Sequence, residues 1–162
     1  MITLIFDASP LIHLGKVKLL ELLISSKNYI PKAVYTEVVE RGKPMGKEDA
    51  LYIKTLIKKE VFTILECKNK ESLSLGSLSI ADEEVIILSK QKQAHAVIDE
   101  LIGRRLCKEL NIKTIGSLGL ILSLVYDKKI TKKEAMKRID MMIENGWFCS
   151  VELYKTIFEQ LK

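Results

Sequence analysis

Apolar residues along the chain follow two patterns: short continuous runs, and longer segments in which they recur every three to four positions. A short continuous run is typical of a strand buried on both faces, and the longer period is typical of an amphipathic helix. The runs predict strands at 2–6, 29–30, 61–65, 94–98 and 113–115. The period predicts helices at 11–23 (kinked, or two short ones), 32–41, 48–59, 80–93, 101–110, 116–126, 131–143 and 150–161.

Strands and helices therefore alternate, which favours a parallel α/β sheet with right-handed crossovers. The chain has 162 residues, enough for one domain with a substantial core, and no linker or internal repeat divides it. The polar segment Cys67–Ser77 has few apolar anchors and is predicted to be a mobile loop. In the helix at 48–59, Leu51, Thr55 and Leu56 are predicted to face inward.

Composition narrows the class of protein. Hydrophobic residues make up 48% of the chain and charged residues 29%, which is ordinary for a globular protein. No apolar run approaches the ~20 residues that a membrane-spanning helix needs, and the N-terminus has no basic region followed by a cleavage site. We therefore predict a cytoplasmic protein with no membrane segment. The net charge of +5 permits polyanion binding without demanding it, because lysine-rich solvated helices give the same count.

Cysteines and histidines offer little chemistry. Cys67, Cys107 and Cys149 are widely spaced and include no CxxC pair, so neither a disulfide framework nor a zinc site follows. His13 and His95 lie in apolar surroundings and are interpreted as structural residues. Candidate chemistry is therefore expected from the carboxylates.

Two acids follow directly after predicted strands, Asp7 after 2–6 and Asp99 after 94–98. The carboxyl ends of parallel strands meet at one edge of a sheet, where α/β proteins bind ligands. Either acid alone is equally well explained as a helix cap or a turn residue. Two acids in the same position favour a shared site.

Further acids lie on predicted helices. Glu84 has apolar residues one turn away on both sides, and a carboxylate on such a face is costly unless it is paired or binds a cation. Asp82 either joins that site or interacts with the helix dipole from the first turn. Glu37 either joins it or forms an i,i+4 pair with Arg41.

Carboxylates brought together repel each other, and a divalent cation removes that cost. Oxygen ligands suit Mg²⁺ or Mn²⁺, which polarise a phosphodiester and activate water for in-line attack. No Ser-His-Asp arrangement, Walker loop or GxGxxG motif competes, and Gly-Ser-Leu-Gly at 116–119 is interpreted as a turn into a helix. Ser9 either hydrogen-bonds an acid or phosphate or caps a helix. Arg104 and Arg105 either contact phosphates or lie on a helix surface.

Several stretches, in order, resemble PIN-domain proteins, in particular a prokaryotic PIN-like subgroup related to the VapC toxins. They are Phe6-Asp-Ala-Ser-Pro-Leu-Ile12, Ile30-Pro-Lys-Ala-Val-Tyr-Thr-Glu37, Ala81-Asp-Glu-Glu-Val-Ile-Ile-Leu88 and Val97-Ile-Asp-Glu-Leu-Ile-Gly-Arg-Arg105. The resemblance covers nearly the whole chain, and its specificity lies in the ordered set. It implies a three-layer α/β/α fold with a parallel central sheet, formed by residues 1–162 as a single PIN-like domain.

The resemblance also implies a metal site. The catalytic residues that it implies are Asp7, Glu37, Glu84 and Asp99. Mg²⁺ or Mn²⁺ would be held by Asp7, Glu84 and Asp99, while Glu37 would orient water or help to place the cation. The chain has Ala81 where the subgroup usually has Gly, and it exchanges one acid for another at two positions. Secondary candidates are therefore Asp82, Glu100 and Ser9, and which member of each acidic pair faces the site stays open.

The predicted function is that of a metal-dependent ribonuclease, with the toxin of a toxin–antitoxin pair as a candidate role. Predicted partners are RNA, an antitoxin protein and a second copy of the chain. The alternative is a PIN-like fold without catalysis that acts as a binding or regulatory module. A receiver-like domain would want an acidic pair after the first strand, and a haloacid-dehalogenase-type phosphatase would want Asp where the chain has Ser9. Both fit less well.

Overall fold

The computed structural model describes residues 1–68 and 78–162. Five strands form one fully parallel sheet in the order β3-β2-β1-β4-β5. The strands are β1 (Thr3–Phe6), β2 (Lys27–Pro31), β3 (Phe62–Leu65), β4 (His95–Val97) and β5 (Thr114–Ile115). The predicted parallel α/β fold is confirmed, with all five strands within a few residues of their predicted positions.

Eight α-helices lie in the described ranges and cover the sheet in a three-layer α/β/α arrangement. They are α1 (Ala8–Lys16), α2 (Lys32–Tyr35), α3 (Glu48–Lys58), α4 (Ile80–Gln91), α5 (Leu101–Glu109), α6 (Ser117–Tyr126), α7 (Lys132–Glu144) and α8 (Val151–Leu161). None of the helices in those ranges has the length and apolar character needed to cross a membrane. Most of the loop predicted at Cys67–Ser77 lies outside the described residues.

Strand β1 is the central strand of the sheet, and its last three residues are apolar and buried. Leu4, Ile5 and Phe6 are each at most 1% exposed, as expected for a strand covered on both faces. The ring of Phe6 packs edge-on against Phe62 of β3, with ring centroids 5.1 Å apart. Helix α4 packs on β1, β2 and β4. The residue after Phe6 is therefore fixed at the middle of the sheet edge.

Two predicted helices differ from the pattern. The segment predicted at 11–23 divides into α1 and a 3-10 turn at Leu20–Leu22, because Lys18 takes a left-handed conformation with φ 55°. The helix predicted at 32–41 begins as α2 but widens into a π-helical turn at Thr36–Glu40. There the Arg41 N–H donates to the Thr36 carbonyl, five residues back, at 3.0 Å. Such turns are rare and occur often at functional sites.

The predicted inward face of α3 is partly wrong. Leu56 is buried, but Leu51 is 50% exposed and Thr55 is also exposed; the buried stripe includes Ala50 and Ile53 instead. This face is set by packing on α1, where a Cβ added to Gly15 would meet the Ile53 side chain at 3.7 Å. Tertiary packing, rather than the apolar residues alone, chooses the face.

Candidate active site

The ends of β1 and β4 form the point where the strand order reverses. From β1 the chain proceeds to β2 and β3 on one side, and then crosses to β4 and β5 on the other. Phe6 is in register with Val97, and the Asp7 N–H donates to the Val97 carbonyl at 3.1 Å. Open α/β sheets bind ligands in the crevice at such a reversal. Asp7 and Asp99 thus follow neighbouring strands at this crevice, as predicted.

Asp7 is a buried carboxyl group at the crevice, and its pKa is raised. It is 6% exposed, and its Oδ1 accepts a hydrogen bond from the Ala8 N–H at 2.8 Å, which caps α1. Burial is the main reason that the pKa of Asp7 is raised to about 7; the Ala8 hydrogen bond lowers it, and the nearby carboxylates of Asp82, Glu100 and Glu37 contribute smaller upward shifts within that value. The cost of a buried charge falls when a cation is bound beside it, so this group is suited to a cation.

Asp99 is half-buried and held by the start of α6. Its Oδ1 accepts from the Ser117 N–H at 2.7 Å, and its Oδ2 accepts from the Ser117 hydroxyl at 2.6 Å. Ser117 is fully buried and is the first residue of α6. Ser117 was not among the residues predicted for the site; its only signal in the sequence is a serine after a short strand and a glycine.

Glu84 links helix α4 to the start of α2. It is 5% exposed, and its Oε2 accepts from the Ala33 N–H in the first turn of α2 at 2.9 Å. Asp82 forms a capping box with Ser79, accepting from its N–H at 3.0 Å and from its hydroxyl at 2.8 Å. Asp82 therefore caps α4 as well as raising the pKa of Asp7.

Three other candidates are less enclosed. Glu37 lies exposed in the π-helical turn, and within the described residues no ion pair joins it to Arg41, because the widened turn spoils the i,i+4 spacing. Glu100 is exposed at the start of α5 and makes no side-chain cap there. Ser9 is not the N-cap of α1, since Asp7 occupies that position.

Asp82, Glu100 and Glu37 are close enough to Asp7 to affect its pKa, but the candidate acids are not gathered tightly. In the ranges 1–68 and 78–162, no group of three or more His, Cys, Asp or Glu side chains has the geometry of a metal site. The donor chemistry nevertheless fits Mg²⁺ or Mn²⁺, because all the candidates are carboxylates and Asp7 is desolvated. The residues fit a hard divalent cation by type, and movement of side chains would be needed to complete a coordination shell.

A family model described as a PIN domain, DUF3368, matches residues 3–162. The chain belongs to the PIN-domain family. PIN domains are commonly metal-dependent nucleases, and the acidic crevice lies where the strand order of this PIN domain reverses. The resemblance stated from the sequence motifs is confirmed at the level of the family.

Solved structures with the same fold include two archaeal proteins. One is a domain of a functionally unknown protein from Methanocaldococcus jannaschii DSM 2661, 19% identical, with a TM-score of 0.52 over 72% of this chain and 91% of that chain. The other is a PilT N-terminus domain protein from Sulfolobus solfataricus P2, 17% identical, with a TM-score of 0.52 over 76% and 92%. At these identities the likeness shows the fold. No curated protein matches the chain.

A large groove of this PIN domain opens beside the crevice. It has a volume of about 1630 Å³, and Ser9, His13, Asp99 and Glu100 are among the residues that line it. His13 lies one turn after Ser9 on α1; burial lowers its pKa, and its Nδ1 has no hydrogen-bond partner. The interpretation of His13 as a structural residue stays a prediction.

Gly116 leaves room for two functional side chains. A Cβ at this position would lie 3.1 Å from both the Asp99 Oδ1 and the Arg104 Nη1. We predict that Gly116→Ala shifts both atoms by a few tenths of an ångström and lowers the rate of the RNA cleavage proposed below several-fold, since a misplacement of ~1 Å can cost ~10²-fold in rate. Its unfolding free energy should change by less than about 1 kcal/mol, as measured by urea denaturation.

Gly15→Ala is the matched control for that experiment. A Cβ at Gly15 would make only ordinary contacts, the shortest 3.5 Å, with side chains of the core. Its cleavage rate should stay at the wild-type value. Equal rates for Gly116→Ala and Gly15→Ala would show that the close approach at Gly116 has no functional role.

Proposed function

We propose that this PIN domain is a metal-dependent endoribonuclease that hydrolyses RNA phosphodiester bonds at the acidic crevice. The observation that carries the proposal is the buried carboxyl group of Asp7, whose pKa of about 7 reflects desolvation and neighbouring acids. A buried carboxyl group costs the fold stability when it ionises, unless a cation is bound beside it. Its position at the strand-order reversal supports a role in cation binding and catalysis.

The cation would be Mg²⁺ or Mn²⁺, held by Asp7, Glu84 and Asp99. When bound, it supplies positive charge that stabilises the phosphate as negative charge develops during attack by water. Asp82 and Glu100 are the secondary candidates as ligands. Glu37 is proposed to orient the attacking water, because it is exposed at the crevice and electrostatically coupled to Asp7.

The remaining residues position these acids and the substrate. The Ser117 N–H and hydroxyl hold both oxygens of Asp99, and the Ala33 N–H holds one oxygen of Glu84. Fixing carboxylates in this way reduces the reorganisation needed when substrate arrives. Arg104, whose guanidinium lies beside Gly116 with Asp99, is placed to contact a phosphate next to the reacting one.

The test is cleavage of a fluorescein-labelled single-stranded RNA with Mn²⁺. We expect Asp99→Asn to cleave at least ~100-fold more slowly, because even groups that only orient metal ligands contribute 10–100-fold. Asp127→Asn, at an exposed position after α6, is the control and should cleave at the wild-type rate. Equal cleavage by Asp99→Asn and Asp127→Asn would exclude the proposed site.

The alternative function is a PIN-like binding or regulatory module without catalysis. It is favoured by one observation, that no three-ligand metal cluster is formed within the described residues. In that case wild-type protein would bind RNA but produce no Mn²⁺-dependent fragments at any protein concentration. Calorimetric titration with Mn²⁺ would then give no heat that Asp7→Asn removes.

A toxin in a toxin–antitoxin pair is the cellular role we propose for the nuclease. Induced expression in a bacterial host should then arrest growth, and Asp7→Asn should relieve the arrest. The proposed protein partners are an antitoxin and a second copy of the chain, and light scattering of the purified protein would distinguish monomer from dimer. Growth arrest that Asp7→Asn leaves unchanged would argue against the toxin role.

A further inference from the structure

We propose that Phe148 is a stacking platform for an unpaired RNA base, in the same groove that contains the acidic crevice. The proposal rests on the nuclease function proposed above and adds a feature of substrate selection to it. Phe148, which follows α7, would make the enzyme prefer single-stranded RNA, while the carboxylates carry out the cleavage. Four observations on the groove support it.

The groove is too large for a small-molecule site. Its volume of about 1630 Å³ exceeds the ~300–1,000 Å³ typical of small-ligand pockets. Its lining joins Asp99 and Glu100 of the acidic crevice to Trp147 and Phe148 between α7 and α8. A polymer bound with one phosphate at Asp99 could therefore extend along the same groove.

The groove carries a row of cations. Arg104, Arg105 and Lys108 come from α5, and Lys113 precedes β5; all four line the groove and are exposed. Lys108 follows Arg104 by four positions and Arg105 by three, so it is a neighbour of both on the helix surface. This arrangement complements a phosphate backbone, and it is charge complementarity that favours RNA as the occupant.

Phe148 is presented outward from a fixed support. Its side chain is 86% exposed, while the adjacent Trp147 is 8% exposed and packs into the core. Gly146, just before them, has φ +92°, which lets the chain turn sharply after α7. The buried Trp147 anchors this turn, so the exposed ring of Phe148 is held in the groove that the four cations also line.

An exposed aromatic ring next to a row of cations is the combination used to bind single-stranded nucleic acid. Bases stack on the ring while the backbone follows the positive charge. In a duplex the bases are already stacked and paired, so the same ring has no base to receive. The platform should therefore strengthen binding to single strands and contribute nothing to duplexes of the same sequence.

The test measures RNA binding by fluorescence anisotropy in EDTA, so that cleavage is not needed. The probes are a labelled mixed-sequence single-stranded RNA and its duplex. We expect Phe148→Ala to weaken binding of the single strand about 5- to 100-fold, Phe148→Trp to restore it, and duplex affinity to stay unchanged. Tyr126→Ala is the matched control, because Tyr126 is 87% exposed and is not among the residues lining the groove.

Three outcomes of the binding measurement overturn the proposal. If Phe148→Ala and Tyr126→Ala bind the single strand equally, Phe148 is not a platform. The proposal also fails if wild-type protein binds no RNA, or if Phe148→Ala weakens binding of the duplex and of the single strand alike. In either case an acidic protein segment would be the better candidate occupant of the groove. A Phe148 effect on binding without Mn²⁺-dependent cleavage would support stacking while excluding the nuclease function.

Discussion

Replacement of Asp7 by asparagine is expected to abolish Mn²⁺-dependent cleavage and, with metal removed, to stabilise the fold at pH 8. Asparagine keeps an oxygen that can accept the Ala8 N–H but carries no negative charge. We expect cleavage to fall at least ~100-fold, because loss of a group that only orients a metal ligand already costs ~10–100-fold. The gain in stability follows from the pKa of the carboxyl group.

Burial raises the pKa of Asp7 from 3.8 to about 7 in the folded chain. Between these values the folded state holds a proton that the unfolded state has lost, so the free energy of unfolding falls as pH rises. A shift of about three units corresponds to a loss of about 4 kcal/mol between pH 4 and pH 8. Asp7→Asn should lack this loss and be more stable than wild type at pH 8, with little difference at pH 4.

Urea denaturation in EDTA at several pH values measures this difference. The comparison must be between variants, because burial lowers the pKa of His13 and His95, which contributes a slope of opposite sign in both proteins. Asp127→Asn is the control and should follow wild type throughout. Added Mn²⁺ should stabilise wild type and leave Asp7→Asn unaffected. If the free energy of unfolding changed with pH in the same way for wild type and for Asp7→Asn, the proposed cost of the buried Asp7 charge would be contradicted.

The sequence was enough to predict the strands and the position of Asp7 and Asp99 at their carboxyl ends. Continuous apolar runs marked the strands of the sheet, and Asp7 directly follows the first of them, which is buried on both faces. In a parallel sheet a residue in that position must lie at the carboxyl edge, whatever the details of packing. The same reasoning placed Asp99 beside it, and the register of Phe6 with Val97 agrees.

The contacts that hold the acids depend on tertiary structure and could not be read from the chain. Ser117 reaches Asp99 across 18 positions, and Ala33 reaches Glu84 across 51. The π-helical turn that contains Glu37 could not be recognised from the spacing of apolar residues. Its hydrogen bonds span five residues instead of four, which changes that spacing very little. The position of Phe148 was also missed, since an exposed aromatic residue resembles a buried one in any hydrophobic pattern.

Phe62→Ala is expected to give the largest loss of stability, because it removes the ring that packs against Phe6. Both side chains are at most 1% exposed, and their ring planes meet at 77°. Truncating a buried phenylalanine costs about 3–5 kcal/mol, a large fraction of the ~5–15 kcal/mol available to a domain. The free energy of unfolding from urea denaturation measures it.

The same substitution tests whether the core positions the acids. Phe6 directly precedes Asp7, so a cavity beside Phe6 frees the end of β1, and cleavage should fall even at temperatures where the variant remains folded. Phe62→Leu fills most of the cavity and should recover most of both properties. Thr63→Ala, at an exposed position of the same strand, should change stability by no more than about 1 kcal/mol and leave cleavage intact. Folded Phe62→Ala protein with wild-type cleavage would separate the core from the site and show that Asp7 is positioned by its own hydrogen bonds.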